Sequence, residues 1–387
     1  MTARSAPMGC RGAEARRVET GPMNIAFAAP DPEVAEISEA TGSMLTRLGG
    51  LEIARGLLDS DDKAARSADA ALLEFGLLDL AACQDPAQPA SLHHLAAVLG
   101  ALGTQVLAAR YIPGLVQAHL ATALGLEAPA AWTGAVAFWD SPCTDLAWAR
   151  NARRLVVHVT GDAAKVEGLA PTVVGDLSDG VVFIPTHVDG DDLLLMSPLR
   201  ATGIAVRNRP SLSPTLQISD LAFQGAACRV AARGEAARMA LRSAHRLALC
   251  AVASAQAQAA GAAAQMATTY ARERFQFGLP IGSFQAIKHR CADMYIEAQL
   301  ARSMADGAAA DAGNPDAPHA AKAFCGDAYR VVATKAVQIH GGIGITWEHA
   351  AHLYLRDAHA TATLLGGGAA HRRILAERAA ASALKAA

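Results

Sequence analysis

Residues 235–274 read "EAARMALRSAHRLALCAVASAQAQAAGAAAQMATTYARER", a run without proline and dense in alanine. Alanine is the best helix former, so the stretch predicts one uninterrupted helix of about 60 Å at 1.5 Å per residue. A rod of that length in a globular chain needs other helices to pack against, and the flanking sequence supplies them. After the turn "FGLPIGS", with Ser283 as the expected N-cap, a second helix runs through "FQAIKHRCADMYIEAQLARSMADGAAA". The loop "DAGNPDAP" ends it. A third helix, "HAAKAFCGDAYRVVATKAVQIH", stops at Gly341-Gly342, a fourth covers "EHAAHLYLRDAHATATLL", and a last one follows the glycines 366–368.

Upstream the texture changes twice. Between about residues 130 and 232 lie short β-branched runs, "RLVVHV", "PTVVGDL", "GVVFIP", "GIAVR" and the alternating "LQISDLAF", punctuated by Gly, Asp, Ser and Pro. From about Pro32 to Leu124 the pattern is Ala- and Leu-rich with helical spacing, as in "DAALLEFGLLDLAA". The expected organisation is α+β and multidomain: a disordered extension over 1–30, an N-terminal α domain over 31–128, a small middle β domain (barrel or sandwich) over 129–232, and a C-terminal four-helix bundle over 233–387. The opening residues carry arginines but no apolar core, which argues against a secretory signal, and Met23 is an alternative start.

Composition narrows the partners. Charged residues are 18% of the 387 and the net charge is −2, without the basic footprint that nucleic acid or an anionic membrane requires. No apolar run is expected to span a bilayer. The seven cysteines are scattered and never form C-x-x-C, which argues against a disulfide framework and for a reducing cytoplasm. Histidines crowd the C-terminal part (His340, His349, His352, His359, His371), yet none forms H-E-x-x-H, so no metal site is expected. Neither G-x-S-x-G nor G-K-[ST] occurs, which removes serine-hydrolase and P-loop chemistry.

Two stretches carry chemistry. In "YARERFQFGLPIGSFQAIKH", Arg274 offers a planar fork of donors suited to a diphosphate, Phe277 a flat face for a purine or ribose, and Gln285 an amide at a helix start. In "QIHGGIGITWEH", Gln338 sits one turn before Gly341 and Gly342, whose missing Cβ atoms allow a close approach by backbone or ligand.

Together "YARERFQFGLPIGSFQAIKHRCADM", "QIHGGIGITWEH" and "LYLRDA" closely resemble the acyl-CoA dehydrogenase family, whose fold has the same order of helical domain, β domain and helical bundle. The resemblance implies FAD, an acyl-CoA substrate oxidised at Cα–Cβ, a carboxylate base, and electron-transferring flavoprotein as acceptor. It also implies a clamp on the ADP half of a neighbouring subunit's flavin, formed here by Arg274, Phe277, Gln285, Gln338, Gly341 and Gly342.

The ring half departs from the family. Gap-free counting puts Leu365 on the glutamate base and Gly366 and Gly367 on the residues after it. The alternative base position on the long helix holds Ala248. Trp139 stands in "AFWDSP" where the family has Thr-Glu-Pro, and Phe183, Ile184 and Pro185 stand for its Trp-Ile-Thr, with Thr186 one place late. The resemblance therefore implies the subunit without a base in a heteromeric, α2β2-like dehydrogenase for a steroid or other bulky acyl-CoA. The alternatives are a complete homo-oligomeric enzyme using His371, His359 or Asp357 as an unconventional base, and a scaffold without flavin. In that second alternative Asp357 matches a structural family position and the two histidines are expected to be solvent-facing helix ends.

Overall fold

The computed structural model describes residues 32–82, 89–139, 155–311 and 313–386. The expected N-terminal extension and Cys10, Cys83 and Cys143 lie outside them.

Six helices come first: α1 (Pro32–Arg47), α2 (Leu51–Leu58), α3 (Lys63–Glu74), α4 (Leu77–Ala82), α5 (Pro89–Thr104) and α6 (Ala108–Ala123). Helix α6 is buried along nearly its whole length, and Arg110 at its start makes a two-pronged ion pair with Asp69 of α3 at 2.8 and 2.6 Å. Such a fork fixes orientation as well as distance.

The middle of the chain is one seven-stranded sheet in the order β1-β4-β5-β7-β3-β2, with β6 also on β7. Its strands are β1 (Ala135–Val136), β2 (Leu155–Thr160), β3 (Ala163–Val174), β4 (Val181–Val188), β5 (Asp191–Pro198), β6 (Ile204–Arg209) and β7 (Ile218–Arg233). Only β1 and β4 pair in parallel. Strand β7 is long enough to pair with β5 through one end and β6 through the other while β3 covers its opposite edge. One face of the sheet closes on its own core, with Val166, Ile184, Leu195, Leu221 and Phe223 buried in a single cluster. The expected small β domain is thus a single mixed sheet with β1, β2 and β6 each paired on one side only.

The rest is helical: α7 (Gly234–Glu273), the hairpin β8 (Phe275–Gln276) and β9 (Leu279–Pro280), α8 (Gln285–Ala310), α9 (Ala317–His340), α10 (Ala351–Thr361) and α11 (Gly368–Ala386). Ser283 does not cap α8. It lies in a single tight turn, 281–283, and Phe284 holds the N-cap position without a side-chain bond. Proline and glycine at 280 and 282 favour the turn over an earlier helix start.

Helix α7 corrects one expectation, because it is long and apolar enough to cross a membrane by length and composition. In the fold, however, 83% of its most apolar window is buried by protein. Its alanines let neighbouring helices come close. At Gly103 of α5 a Cβ would lie 2.3 Å from the carbonyl oxygen of Ala255, so only glycine permits that approach.

Candidate functional site

At the end of α7 the backbone of Arg274 turns extended, and its carbonyl accepts a hydrogen bond from the Ile281 N–H at 2.8 Å, closing the β8–β9 hairpin. The two-residue loop has φ 53° at Phe277 and 78° at Gly278, the left-handed pair that matches the twist of a tight hairpin. Glycine adopts this conformation freely, whereas phenylalanine is strained in it. The turn leaves the Phe277 ring 92% exposed, edge-on to Phe284 with ring centres 6.2 Å apart. Phe275 and Leu279 are also exposed, an unusual amount of apolar surface for one hairpin. Gln285, the first residue of α8, faces solvent, and no side chain caps the first turn of that helix. The Arg274 guanidinium is exposed and makes no hydrogen bond or ion pair among the described residues.

The second half of the expected clamp ends α9. Gln338 is exposed, Gly341 has φ 67°, and a Cβ added at Gly341 or Gly342 would meet open space. Gly344 is different, since a Cβ there would lie 2.9 Å from the Cβ of His340. A ring contact joins the two halves: Tyr270, one turn before Arg274, lies 4.5 Å from the ring of His340 at the end of α9.

The other set of positions is apolar and closed. Leu365 is fully buried with φ 56°, and its N–H donates to the carbonyl oxygen of Trp139 at 3.1 Å. Trp139, Phe183 and Ala248 are buried in the same hydrophobic cluster as Leu365. Residues that count onto the family's base and ring contacts, though distant in sequence, therefore share one packed core. Within it the indole Nε1 of Trp139 is buried without a hydrogen-bond partner among the described residues.

Three groups stood in sequence as unconventional bases. Asp357 is buried, accepts hydrogen bonds from Ser213 at 3.0 Å and Tyr329 at 3.1 Å, and is pushed up to about 6 by its burial. It borders a small cavity with Gln256, Thr361 and Leu364. His359 is exposed. His371, expected at a solvent-facing helix end, is fully buried, its Nδ1 2.9 Å from Nδ1 of His319. The periodicity of α11 did not reveal this, because the burying surface comes from α9.

Around His371 lies a polar cluster that the sequence gave no sign of. His245 of α7 and His319 of α9 have ring centres 5.9 Å apart, and the buried Lys322 ammonium donates to Ala362 O at 3.1 Å and to Gly366 O at 3.5 Å. Burial holds Lys322 down to about 8. His245 and His371 fall to about 3, through burial first and then through neighbouring positive groups. Lys322 thereby ties down both sides of the Leu365 turn.

A dinucleotide can be tested against this geometry. A free guanidinium, two exposed amides, an uncapped helix start and two glycines with open space match a diphosphate with its sugar. Trp139, Phe183 and Leu365, the positions that count onto the family's ring contacts and base, offer no comparable set of exposed donors, being buried in one hydrophobic cluster.

Comparison with known proteins agrees with the architecture. Residues 233–380 match the family model described as acyl-CoA dehydrogenase, C-terminal domain. Acyl-CoA dehydrogenase IpdE2 of Mycolicibacterium smegmatis is 45% identical over 111 residues, 29% of this chain and 35% of that protein. FadE34 of Mycobacterium tuberculosis is 35% identical over 228 residues, 54% of this chain and 29% of that protein. The matches thus span about a third of these relatives' length. Among solved structures, a variant of the Tcur3481-Tcur3483 steroid ACAD superposes with a TM-score of 0.75 at 24% identity, covering 90% of this chain and 99% of that one. The ChsE4-ChsE5 complex from Mycobacterium tuberculosis gives 0.74 at 22%, covering 91% and 98%. The C-terminal bundle is thus similar in sequence to the C-terminal domain of acyl-CoA dehydrogenases, and the chain as a whole shares the fold of the solved ones.

Proposed function

We propose that this chain is the base-lacking subunit of a heteromeric FAD-dependent acyl-CoA dehydrogenase. It lends the dinucleotide clamp to a flavin whose ring, catalytic base and acyl-CoA belong to a related chain. The observation that carries this reading is the fully buried Leu365, bonded through its N–H to Trp139, at the position that counts onto the family's glutamate. A leucine there cannot take the α-proton of a thioester, whereas the clamp residues keep their donors free for a partner.

When bound, FAD supplies the hydride acceptor for oxidation of the Cα–Cβ bond. The part played by this chain is to bind and orient. Arg274 neutralises the diphosphate with a fork of N–H donors, Gln285 and Gln338 add amide hydrogen bonds, Gly341 and Gly342 admit the ligand to the backbone, and Phe277 covers a flat face. The exposed apolar hairpin fits an intermolecular role for this end. The substrate class we assign is a steroid or other bulky acyl-CoA, since one similar structure is named a steroid ACAD. The ChsE4-ChsE5 complex, named for two chains, supports a related subunit as partner. The electron acceptor is electron-transferring flavoprotein, as the family resemblance implies.

One observation favours a second reading. The Asp357 carboxyl, raised to about 6 beside a small cavity, has the properties of a base. Its two hydroxyl donors instead describe a group holding the bundle to the sheet. The deciding experiment measures FAD per chain for this protein alone and co-purified with a co-expressed relative carrying the glutamate. One flavin per pair, bleached by acyl-CoA only in the complex, is expected. A full complement on the lone chain, bleached by substrate and lost in Asp357→Asn, would overturn the proposal.

A further inference from the structure

The expected clamp residues lie on two separate helix ends, and what locks those ends together is a cluster of rings that no role has yet claimed. His340 sits between Tyr270, 4.5 Å away, and His349, 4.2 Å away, while Tyr270 and His349 face each other edge-on at 6.2 Å. The hydrogen bonds assign the tautomers. His340 Nδ1 donates to the carbonyl of Ala336 at 2.7 Å, so its proton is on Nδ1, leaving Nε2 a bare acceptor that is buried without a partner. His349 Nδ1 accepts the Ala351 N–H at 3.1 Å, so its proton is on Nε2. Ala351 is the first residue of α10 and Ala350 its N-cap, so His349, one residue earlier, satisfies a first-turn N–H of that helix with its unprotonated nitrogen. Gly344 completes the joint, because any Cβ there would collide with His340.

We propose that Tyr270, His340 and His349 form a positioning joint that holds the Arg274 end of α7 against the Gln338–Gly342 end of α9, and that protonation of His349 undoes it. The inference rests on the reading of those two ends as one dinucleotide clamp.

A proton can add to His349 only at Nδ1. There it removes the acceptor of the Ala351 N–H, places a positive charge at a helix N-terminus, and sets a cation against the ring of His340. The surrounding groups oppose that charge. Arg55 of α2 donates to the Glu348 carbonyl, and His352 and Arg356 of α10 lie against the ring of Trp347, whose indole N–H reaches Asp59, the residue after α2, at 3.3 Å. Burial, and then His340, Arg55 and His352, hold His349 below its ordinary 6.5, while Glu348 is the neighbouring carboxylate. His340 is lowered by burial. The joint is thus closed at neutral pH and opens in acid.

The test uses the full chain and its flavin complex. Amide hydrogen exchange of residues 341–353 is measured at pH 7.5 and at pH 4.5, low enough to protonate a histidine lowered from its ordinary range, corrected for intrinsic rates, with amides at the centre of α7 as the control for global opening. The wild-type chain is expected to lose about tenfold protection in this segment at the lower pH. His349→Asn, whose side-chain oxygen can accept the Ala351 N–H as an Asx turn but does not titrate, is expected to keep it. Wild-type protection unchanged by acid, or an equal loss in His349→Asn, would overturn the joint. The second arm measures FAD retained by the co-purified complex at both pH values. Acid release in the wild type and retention in His349→Asn support the proposal. If exchange responds as expected and flavin retention does not follow, the joint stands and the assignment of Arg274 and Gln338 as a dinucleotide clamp fails.

Discussion

The two ends of the candidate site differ in the way a binding surface differs from a core. At the Arg274 end, donors are exposed, glycines face open space and aromatic rings project from a strained hairpin. At the Leu365 end, Trp139, Phe183, Ala248 and Leu365 are buried together in apolar packing. The first arrangement costs a lone chain apolar exposure and backbone strain, which a partner surface would relieve. The second stabilises the chain alone. The contrast teaches that an exposed set of donors and a packed apolar set rest on different residues and different physics, even within one chain.

The most direct way to break the contrast is to return the missing carboxylate. Leu365→Glu places an acid in packed apolar surroundings, and we expect a loss of about 3–5 kcal/mol of stability without any acyl-CoA-dependent flavin bleaching. Bleaching by the variant chain alone would show that the ring end is open after all.

Acid should come next, acting on the closed end through His245 and His371. Both are neutral bases in the fold, lowered to about 3, and return to about 6.5 when unfolded. Their contribution is complete above about pH 6.5 and is lost as the pH falls from there toward 3, by up to about 1.4 kcal/mol per pH unit for each group. The melting temperature is expected to drop steeply below pH 6.5 and less steeply in His371→Leu. A flat profile would mean that the cluster is hydrated.

At the open end the effects should fall on binding and spare the fold. Arg274→Ala removes charge-assisted hydrogen bonds worth about 1.5–3 kcal/mol, so flavin affinity of the co-purified complex should fall by roughly 10- to 100-fold at unchanged melting temperature of the chain. The smallest change on the isolated chain is expected for Phe277→Ala, within about 0.5 kcal/mol, because its ring touches little. Its effect should appear only in assembly and flavin retention, and a large loss of stability in the lone chain would show that the hairpin packs internally.

Helix α7 and its termination near Arg274 were legible because alanine content and the absence of proline are local properties, and the strand texture of the middle region was legible for the same reason. The motif residues from Arg274 to Gln285 and from Gln338 to Gly342 were legible as positions near helix ends. What was hidden depends on surfaces brought from elsewhere in the chain. His371 resembles a solvent-facing helix end until α9 covers it, and Ser283 resembles a cap until Pro280 and Gly282 shape the turn before it. Phe277 in a left-handed turn is invisible to residue preference, which disfavours it there. The joint of Tyr270, His340 and His349 could have been suspected from two histidines flanking the "GGIGITWE" loop, but only the folded loop brings their rings together.

The alanine content of α7 has a calorimetric consequence. Of the 22 residues it buries, 14 are alanine, so its length is achieved with little apolar area per residue. The heat-capacity increment of unfolding follows apolar area, and this chain should fall below the usual ~12–15 cal/mol/K per residue. Its stability curve should accordingly be shallow, with enthalpy and entropy of unfolding that change slowly between cold and warm conditions.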